Sequence, residues 1–250
     1  MADIKDLISD LVKHVVSLKG IDHIKLDGTG SDLQVHGMIH DTLVFQGKIH
    51  GKIDEFNDEI GMGNFGFLSA LVSLKNYKEN GKIKLVTEQR SGVKQLDRLV
   101  FSDDDGNTDQ YRFMGKSMVN QLVKTVKFRG AEWQVTVSPT QKMVQTFETM
   151  NSLYGGIEPN FTLETENKQL IVKVLGQQGD FTGKRVLAKD IKGQLTNSRK
   201  WPLQIVIDIL KLGMSGTCLM QIDSESGALM ITMDSGIGEY RYILPAQQST

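Results

Sequence analysis

The sequence predicts an α+β chain of two topologically similar domains, each with two helices packed on antiparallel sheets. Three observations carry that expectation. An amphipathic helix followed by β-hairpins near residues 3–51 recurs near 62–114, 139–191 and 202–246. The helix heads at Asp3 and Pro139 lie 136 residues apart, and the closing strands at 111–114 and 240–244 lie 129 apart. A period of about 130 residues is domain-sized and too long for a solenoid repeat. The 25 glycines against 4 prolines supply tight turns and argue for high β content. Two copies of one domain make a pseudo-symmetric object, and such objects tend to close into rings. The expected boundaries are 1–116 for the first domain, 117–127 for a connector and 128–250 for the second.

The first helix places Ile4, Leu7, Ile8, Leu11, Val15 and Leu18 on one face at a 3.6 period, with Gly20 as a stop. Lys13 lies near the centre of the opposite face, with Lys5 and Ser9 on its flank. Strand patterns follow at 21–26, 33–39 and 42–50, the first two separated by the turn Asp27-Gly28-Thr29-Gly30. A second helix at 62–75 is more apolar. Phe65, Phe67, Leu68, Leu71, Val72 and Leu74 cover most of its circumference, leaving a narrow polar stripe of Gly66, Ser69 and Ser73. Strands at 82–88, 95–102 and 108–114 complete the first half. The connector keeps Met118, Val119, Leu122 and Val123, which predicts that it lies packed on a surface.

The second half repeats this order. Ser138 is placed as an N-cap and Pro139 as the first helical residue. Met143, Phe147, Met150 and Tyr154 form the apolar face, while Gln141, Lys142, Gln145, Thr149 and Ser152 face away, and Gly155-Gly156 ends the helix. Strands at 160–166, 169–175 and 184–191 follow. The fourth helix, 202–212, is nearly all apolar apart from Gln204, Asp208 and Lys211, and hairpins finish at 240–244.

Hydrophobic residues make up 39% and charged residues 24%, a balance that suits a globular protein with a substantial core. The single cysteine, Cys218, excludes an intramolecular disulfide framework and fits a reducing cytoplasm. Its apolar setting reads as a small buried hydrophobe. No apolar run approaches the roughly 18 residues of a membrane span, and the acidic, periodic N-terminus is unlike a signal peptide. The net charge of −1 neither advertises nor excludes nucleic-acid binding, because the field depends on where the charges lie.

The sharpest enzyme motif is Gly61-Met62-Gly63-Asn64-Phe65-Gly66, a literal G-x-G-x-x-G opening a helix, with Glu88 downstream. Its context argues against a dinucleotide site. The preceding 52–59 segment is no continuous apolar strand, its four carboxylates would repel a pyrophosphate, and hairpins follow in place of a crossover. Asp103-Asp104-Asp105-Gly106-Asn107 resembles half a calcium loop without the closing glutamate and reads better as a solvated turn. His36, His40 and His50 lie on strand patterns with no fourth ligand or nearby cysteine. With no nucleophile elbow, phosphate loop or zincin motif, the sequence predicts no enzyme, no metal and no cofactor. The basic residues Lys5, Lys13, Lys142, Lys200 and Lys211 belong to the four helices or their entry points, with Arg199 beside Lys200. Singly they read as solvated lysines. Lining one surface together, they would attract phosphates without reading bases.

The closing run Leu229-Met230-Ile231-Thr232-Met233-Asp234-Ser235-Gly236-Ile237-Gly238-Glu239-Tyr240-Arg241-Tyr242-Ile243-Leu244-Pro245-Ala246 resembles the last strands of DNA sliding clamps. The segment from Ile60 to Leu71 is similar to the second helix of the clamp of T-even-type bacteriophages, relatives of proliferating cell nuclear antigen, and the 133–150 segment to that family's strand and third helix. The resemblance spans nearly the whole chain and implies the DNA-clamp (processivity) fold. It implies a homotrimeric ring with helices inside and sheets outside, threaded by duplex DNA and tethering a replicative DNA polymerase. A clamp loader is a further implied partner, and the host bacterial cytoplasm the implied location.

The DNA-facing residues it implies are Lys5, Lys13, Ser69, Ser73, Lys142, Arg199, Lys200 and Lys211, and the partner-binding residues Val119, Leu122, Leu244, Pro245 and Ala246. One departure is that the second helix carries almost no cation before Lys75 and Lys78. The alternative reading is a non-enzymatic phage structural or assembly protein built on duplicated β-rich domains.

Overall fold

The computed structural model describes residues 3–51, 53–90, 92–126, 128–176, 179–214 and 216–247. The last residue of the expected connector, Lys127, and the first residue of the 52–59 segment, Lys52, lie outside them. The chain divides into two compact units: 1–39, 45–126 and 236–240 form the first, and 40–44, 127–235 and 241–250 the second.

In the first unit, helix α1 (Ile4–Val16) packs against α2 (Phe65–Ser73), which a turn joins to the short α3 (Lys75–Glu79). Leu7, Ile8, Leu11 and Val15 of α1 are no more than 1% exposed, and each such side chain contributes about 2 kcal/mol of burial. Beneath lie β1 (His23–Asp27), β2 (Gln34–Ile39), β3 (Leu43–Ile49) and β4 (Glu59–Gly63), in the order β4-β1-β2-β3. A three-stranded sheet, β5-β6-β7, is made of β5 (Lys82–Arg90), β6 (Val93–Ser102) and β7 (Thr108–Arg112). The Tyr111 hydroxyl of β7 donates to the Gly63 carbonyl at 2.5 Å and accepts from the Gly63 N–H at 2.8 Å, joining the two sheets.

The glycine-rich motif does not open the helix as expected. Gly61, Met62 and Gly63 belong to β4, which pairs antiparallel with β1 from Glu59↔Asp27 to Gly63↔His23. The helix therefore starts at Phe65, after Asn64 at φ 50. Gly61 is required because α4 (Lys116–Leu122), the helical part of the connector, crosses over it. A Cβ at Gly61 would lie 2.7 Å from the Val119 side chain. The Asp103 turn is self-satisfied: Asp103 Oδ1 accepts from the N–H groups of Asp105 and Asn107. Hydrogen bonds from the Asn107 and Asn76 side chains hold its carboxyl below the usual range.

In the second unit, α5 (Gln141–Tyr154) packs against α6 (Leu203–Gly213). The cap of α5 is Thr140, whose hydroxyl accepts from the Met143 N–H at 3.2 Å; Ser138 and Pro139 lie ahead of it. Below are β9 (Asn160–Glu166), β10 (Gln169–Leu175), β11 (Thr182–Ala188) and β12 (Lys200–Pro202), in the order β11-β10-β9-β12. Phe147 of α5 meets Phe161 of β9 edge to face at 5.1 Å, and Trp201 is fully buried. The remaining strands are β8 (Val135–Val137), β13 (Thr217–Asp223), β14 (Ala228–Asp234) and β15 (Gly238–Pro245). In their sheet β15 neighbours β14, which is followed by β13 and β8. Cys218 is buried, and burial pushes its thiol up to about 11. Among the described residues no helix is long and apolar enough to cross a membrane, and no cluster of three or more ligating side chains could hold a metal.

Candidate functional site

The helix pair of each unit presents one solvent-facing stripe. On α1 that stripe is Asp6, Ser9, Lys13 and Val16, one turn apart because the opposite face fills the core. Lys13 is exposed and has no ion-pair partner among the described residues. Lys5 is half-buried and donates to the Gly81 carbonyl at 3.2 Å. The exposed face of α2 differs from the expected polar stripe. Ser73 is exposed, but Ser69 is half-buried, and Phe67 at 43% and Leu74 at 44% take the outward positions with Gly66 and Ala70.

On α5 the stripe is Gln141, Lys142, Gln145, Thr149 and Ser152, all exposed, and Lys142 has no ion-pair partner among the described residues. The polar residues of α6 turn toward α5. Asn151 Nδ2 donates to Gln204 Oε1 at 2.9 Å, Gln204 Nε2 donates to Asp208 Oδ1 at 2.8 Å, and Lys211 Nζ meets Glu148 Oε1 at 2.7 Å. The hydrogen bond that Lys211 donates to Glu148 holds its ammonium above its ordinary value. Lys13 and Lys142 thus remain as uncompensated cations on these stripes, whereas Lys211 is offset by a carboxylate.

Arg199 and Lys200 do not share the helix surface. Lys200 lies on β12 opposite Thr162 of β9, and Trp201 opposite Phe161. Trp201 and Phe161 point into the core, so strand alternation sends Lys200 and Thr162 to the far face of the sheet. There Lys200 Nζ meets Glu158 Oε2 at 3.0 Å. Burial works to raise the Glu158 carboxyl, but Lys200 and the Asn160 N–H overcome it and hold it low. Arg199 donates from Nε to the Ser224 carbonyl and from Nη2 to the Glu225 carbonyl, both at 3.0 Å. Glu158 is 42 residues from Lys200, so no local spacing announces the pair.

These two cations instead line a groove of about 660 Å³ on the second unit, together with Thr162, Gly227, Pro245 and Ala246. The Ala246 N–H donates to the Gly227 carbonyl at 2.7 Å and the Gln247 N–H to the Lys200 carbonyl at 2.8 Å, fixing the chain end along the groove wall. Of the five expected partner-binding residues, Pro245 and Ala246 line this groove and Leu122 is 47% exposed on α4. Val119 and Leu244 are fully buried and offer no docking surface. Val119 faces inward because it packs over Gly61, and Leu244 ends a run of three buried residues, with Tyr242 and Ile243, ahead of exposed Pro245.

No protein-family model matches the chain, and neither does any curated protein. Solved structures do. Proliferating cell nuclear antigen (PCNA) from Thermococcus kodakaraensis aligns with a TM-score of 0.70 at 12% identity, covering 98% of each chain. PCNA from Entamoeba histolytica aligns with a TM-score of 0.68 at 12% identity over 96% of each chain. A. fulgidus PCNA, solved with the C-terminal region of FEN-1 bound, aligns with a TM-score of 0.70 at 10% identity over 99% of this chain and 98% of that one. The chain has the fold of these PCNA structures from end to end.

Proposed function

We propose that this protein is a DNA sliding clamp: three copies close a ring around duplex DNA and tether a replicative polymerase to it. The observation that carries the reading is the match to PCNA structures over 96% to 99% of this chain. In this reading the helix pairs line the hole and the sheets form the outside. Ring closure would use sheet edges. β11 ends the four-stranded sheet, while β5 and β7 end the three-stranded one, so β11 of one copy adding to an edge strand of the next would join copies head to tail.

Retention by a closed ring comes from topology, and strong phosphate contacts would only add friction. The sparse charge of the helix stripes suits that design. Lys13 and Lys142 would supply sequence-independent phosphate attraction, with Lys5 and Lys211 weaker because each already has an acceptor. Ser69 and Ser73 would add at most neutral contacts. Arg199 and Lys200 are assigned to the groove beside Pro245 and Ala246, which would receive polymerase or clamp-loader segments; Leu122, exposed on α4, would be a contact of its own. The likeness of the sequence to T-even-type phage clamps points to a phage polymerase in the host bacterial cytoplasm. The reading assigns no catalytic step to the chain.

The deciding experiment loads the protein with a clamp loader on nicked circular DNA and isolates the complex. The expected result is retention on the circle and loss once the same DNA is linearised. Equal retention on both forms, or no trimer by light scattering, would overturn the proposal. An open polymer would favour an assembly protein.

A further inference from the structure

The second unit carries another groove, of about 530 Å³, between β8 and the 188–193 loop. β8 ends its sheet, and among the described residues its strand partner is β13, through Val135↔Ile222, Thr136↔Gln221 and Val137↔Met220. Its other edge is therefore open to pairing. The loop approaches the start of β8 closely. Gly193, at φ 87, lies so near that a Cβ there would sit 1.7 Å from the Gln134 carbonyl oxygen. Past that pinch the groove is lined by Thr136, Val137 and Ser138 on one side and by Lys189, Asp190 and Lys192 on the other. Both lysines are exposed and have no ion-pair partner among the described residues. Trp133, half-buried, lines one end and stacks on Phe128 at 5.9 Å.

We infer that this groove docks an extended, acidic segment of a partner protein, laid along β8 as an added strand. An open strand edge supplies backbone donors and acceptors for such a segment, and the two lysines supply charge complementarity for its carboxylates. Trp133 offers apolar area at one end of the strand. A single-stranded nucleic acid fits less well. One ring face of Trp133 is already taken by Phe128, and a nucleic acid has no strand backbone to pair with the open edge of β8. The inference does not depend on DNA passing through a ring, so its failure would leave the clamp reading standing.

The test uses tryptophan fluorescence of the full chain, which has 2 tryptophans. Trp201 is fully buried, so a ligand-dependent change reports Trp133. The probes are a ten-residue blocked peptide alternating valine and glutamate, its lysine counterpart, the glutamate peptide N-methylated at alternate residues, and a ten-residue oligothymidylate. A saturable change with the glutamate peptide alone is expected. Affinity should fall about tenfold or more in the Lys189→Glu/Lys192→Glu variant and stay unchanged in Lys13→Glu. No saturable change with the glutamate peptide would overturn the inference, as would an equal response from the lysine or N-methylated peptide or from the oligonucleotide. So would unchanged affinity in the doubly reversed variant.

Discussion

The Tyr240 hydroxyl donates to Asp10 Oδ2 at 2.8 Å, across 230 residues of sequence. The same tyrosine ring stacks on His14 with centroids 3.9 Å apart and lies 5.8 Å from Phe45, parallel to it. Asp10 and His14 are one turn apart on α1, so the start of the last strand grips the first helix through one side chain. Tyr240 is fully buried. Tyr240→Phe keeps the ring contacts and removes one hydrogen bond to a carboxylate, an expected loss of about 1.5 kcal/mol. Tyr240→Ala also opens a cavity and should cost about 4 kcal/mol. Urea denaturation checks both; an unchanged midpoint in Tyr240→Phe would mean that the hydroxyl contributes nothing, and equal losses in the two variants that the ring does not.

Glu59 clamps the connector helix to the first unit. Its carboxylate meets Lys25 at 3.0 Å and Lys116 at 2.8 Å, and accepts from Asn120 Nδ2 at 3.3 Å. Hydrogen bonds from Lys116 and then Lys25 draw its pKa down from 4.5 to about 2. A carboxylate whose folded pKa is depressed stabilises the fold above its unfolded value and loses that contribution as pH falls through the folded one. The clamp should therefore be intact above about pH 4.5 and progressively lost toward pH 2. Glu59→Gln should remove about 2 kcal/mol at neutral pH and flatten the acid limb of the stability curve. Hydrogen exchange should show α4 amides losing protection first; protection unchanged in the variant would place the anchor elsewhere.

How much of this was legible depends on whether a neighbour in sequence or a neighbour in space decides each residue. The hairpin of β9 and β10 runs over 160–166 and 169–175 as the alternation predicts, because Asn167 and Lys168, at φ 50 and 59, close it locally. The faces of α1 and α5 were equally readable, since half of each helix is core. β4 was hidden because its glycines carry no strand signal; β1 on one side and α4 above it make it a strand. Lys200 was misplaced because, three residues ahead of Leu203 at the start of α6, it lies on a strand whose parity sends it to the opposite face. Val119 shows the same limit. A seven-residue helix can bury any of its sides, and only the bare backbone of Gly61 decides which.

The exposure of Lys13 and Lys142 gives the DNA-facing proposal a sharp consequence. Reversing both to glutamate should leave stability within about 0.5 kcal/mol, since among the described residues neither makes an ion pair whose loss must be compensated. It should cripple loading or processive synthesis at physiological salt, and DNA binding by the variant should depend less steeply on salt, so that its gap from the unaltered protein widens as ionic strength falls and narrows with added salt. Thermal melts and primer extension on a singly primed circle separate the two effects. Full processivity in the double variant would mean that these lysines do not face the duplex.

Helix α2 poses the complementary question, because its outward residues are apolar where a phosphate-binding surface would carry cations. Phe67 is 43% exposed and lies between Gly66 and Leu68 at the first turn. If α2 lines the hole, a lysine there adds phosphate contacts to a surface that has none. Phe67→Lys should then steepen the salt dependence of DNA binding by roughly 0.9 in slope for each new lysine that meets a phosphate. Diffusion along DNA, followed by single-molecule tracking, should slow because each added contact must break at every step. Stability should change little, since the ring is already half in solvent and a lysine stem covers part of the same surface. A salt slope and a diffusion constant both indistinguishable from those of the unaltered protein would place α2 away from the duplex. The apolar stripe of Phe67 and Leu74 would then have to be accounted for by a contact with another protein.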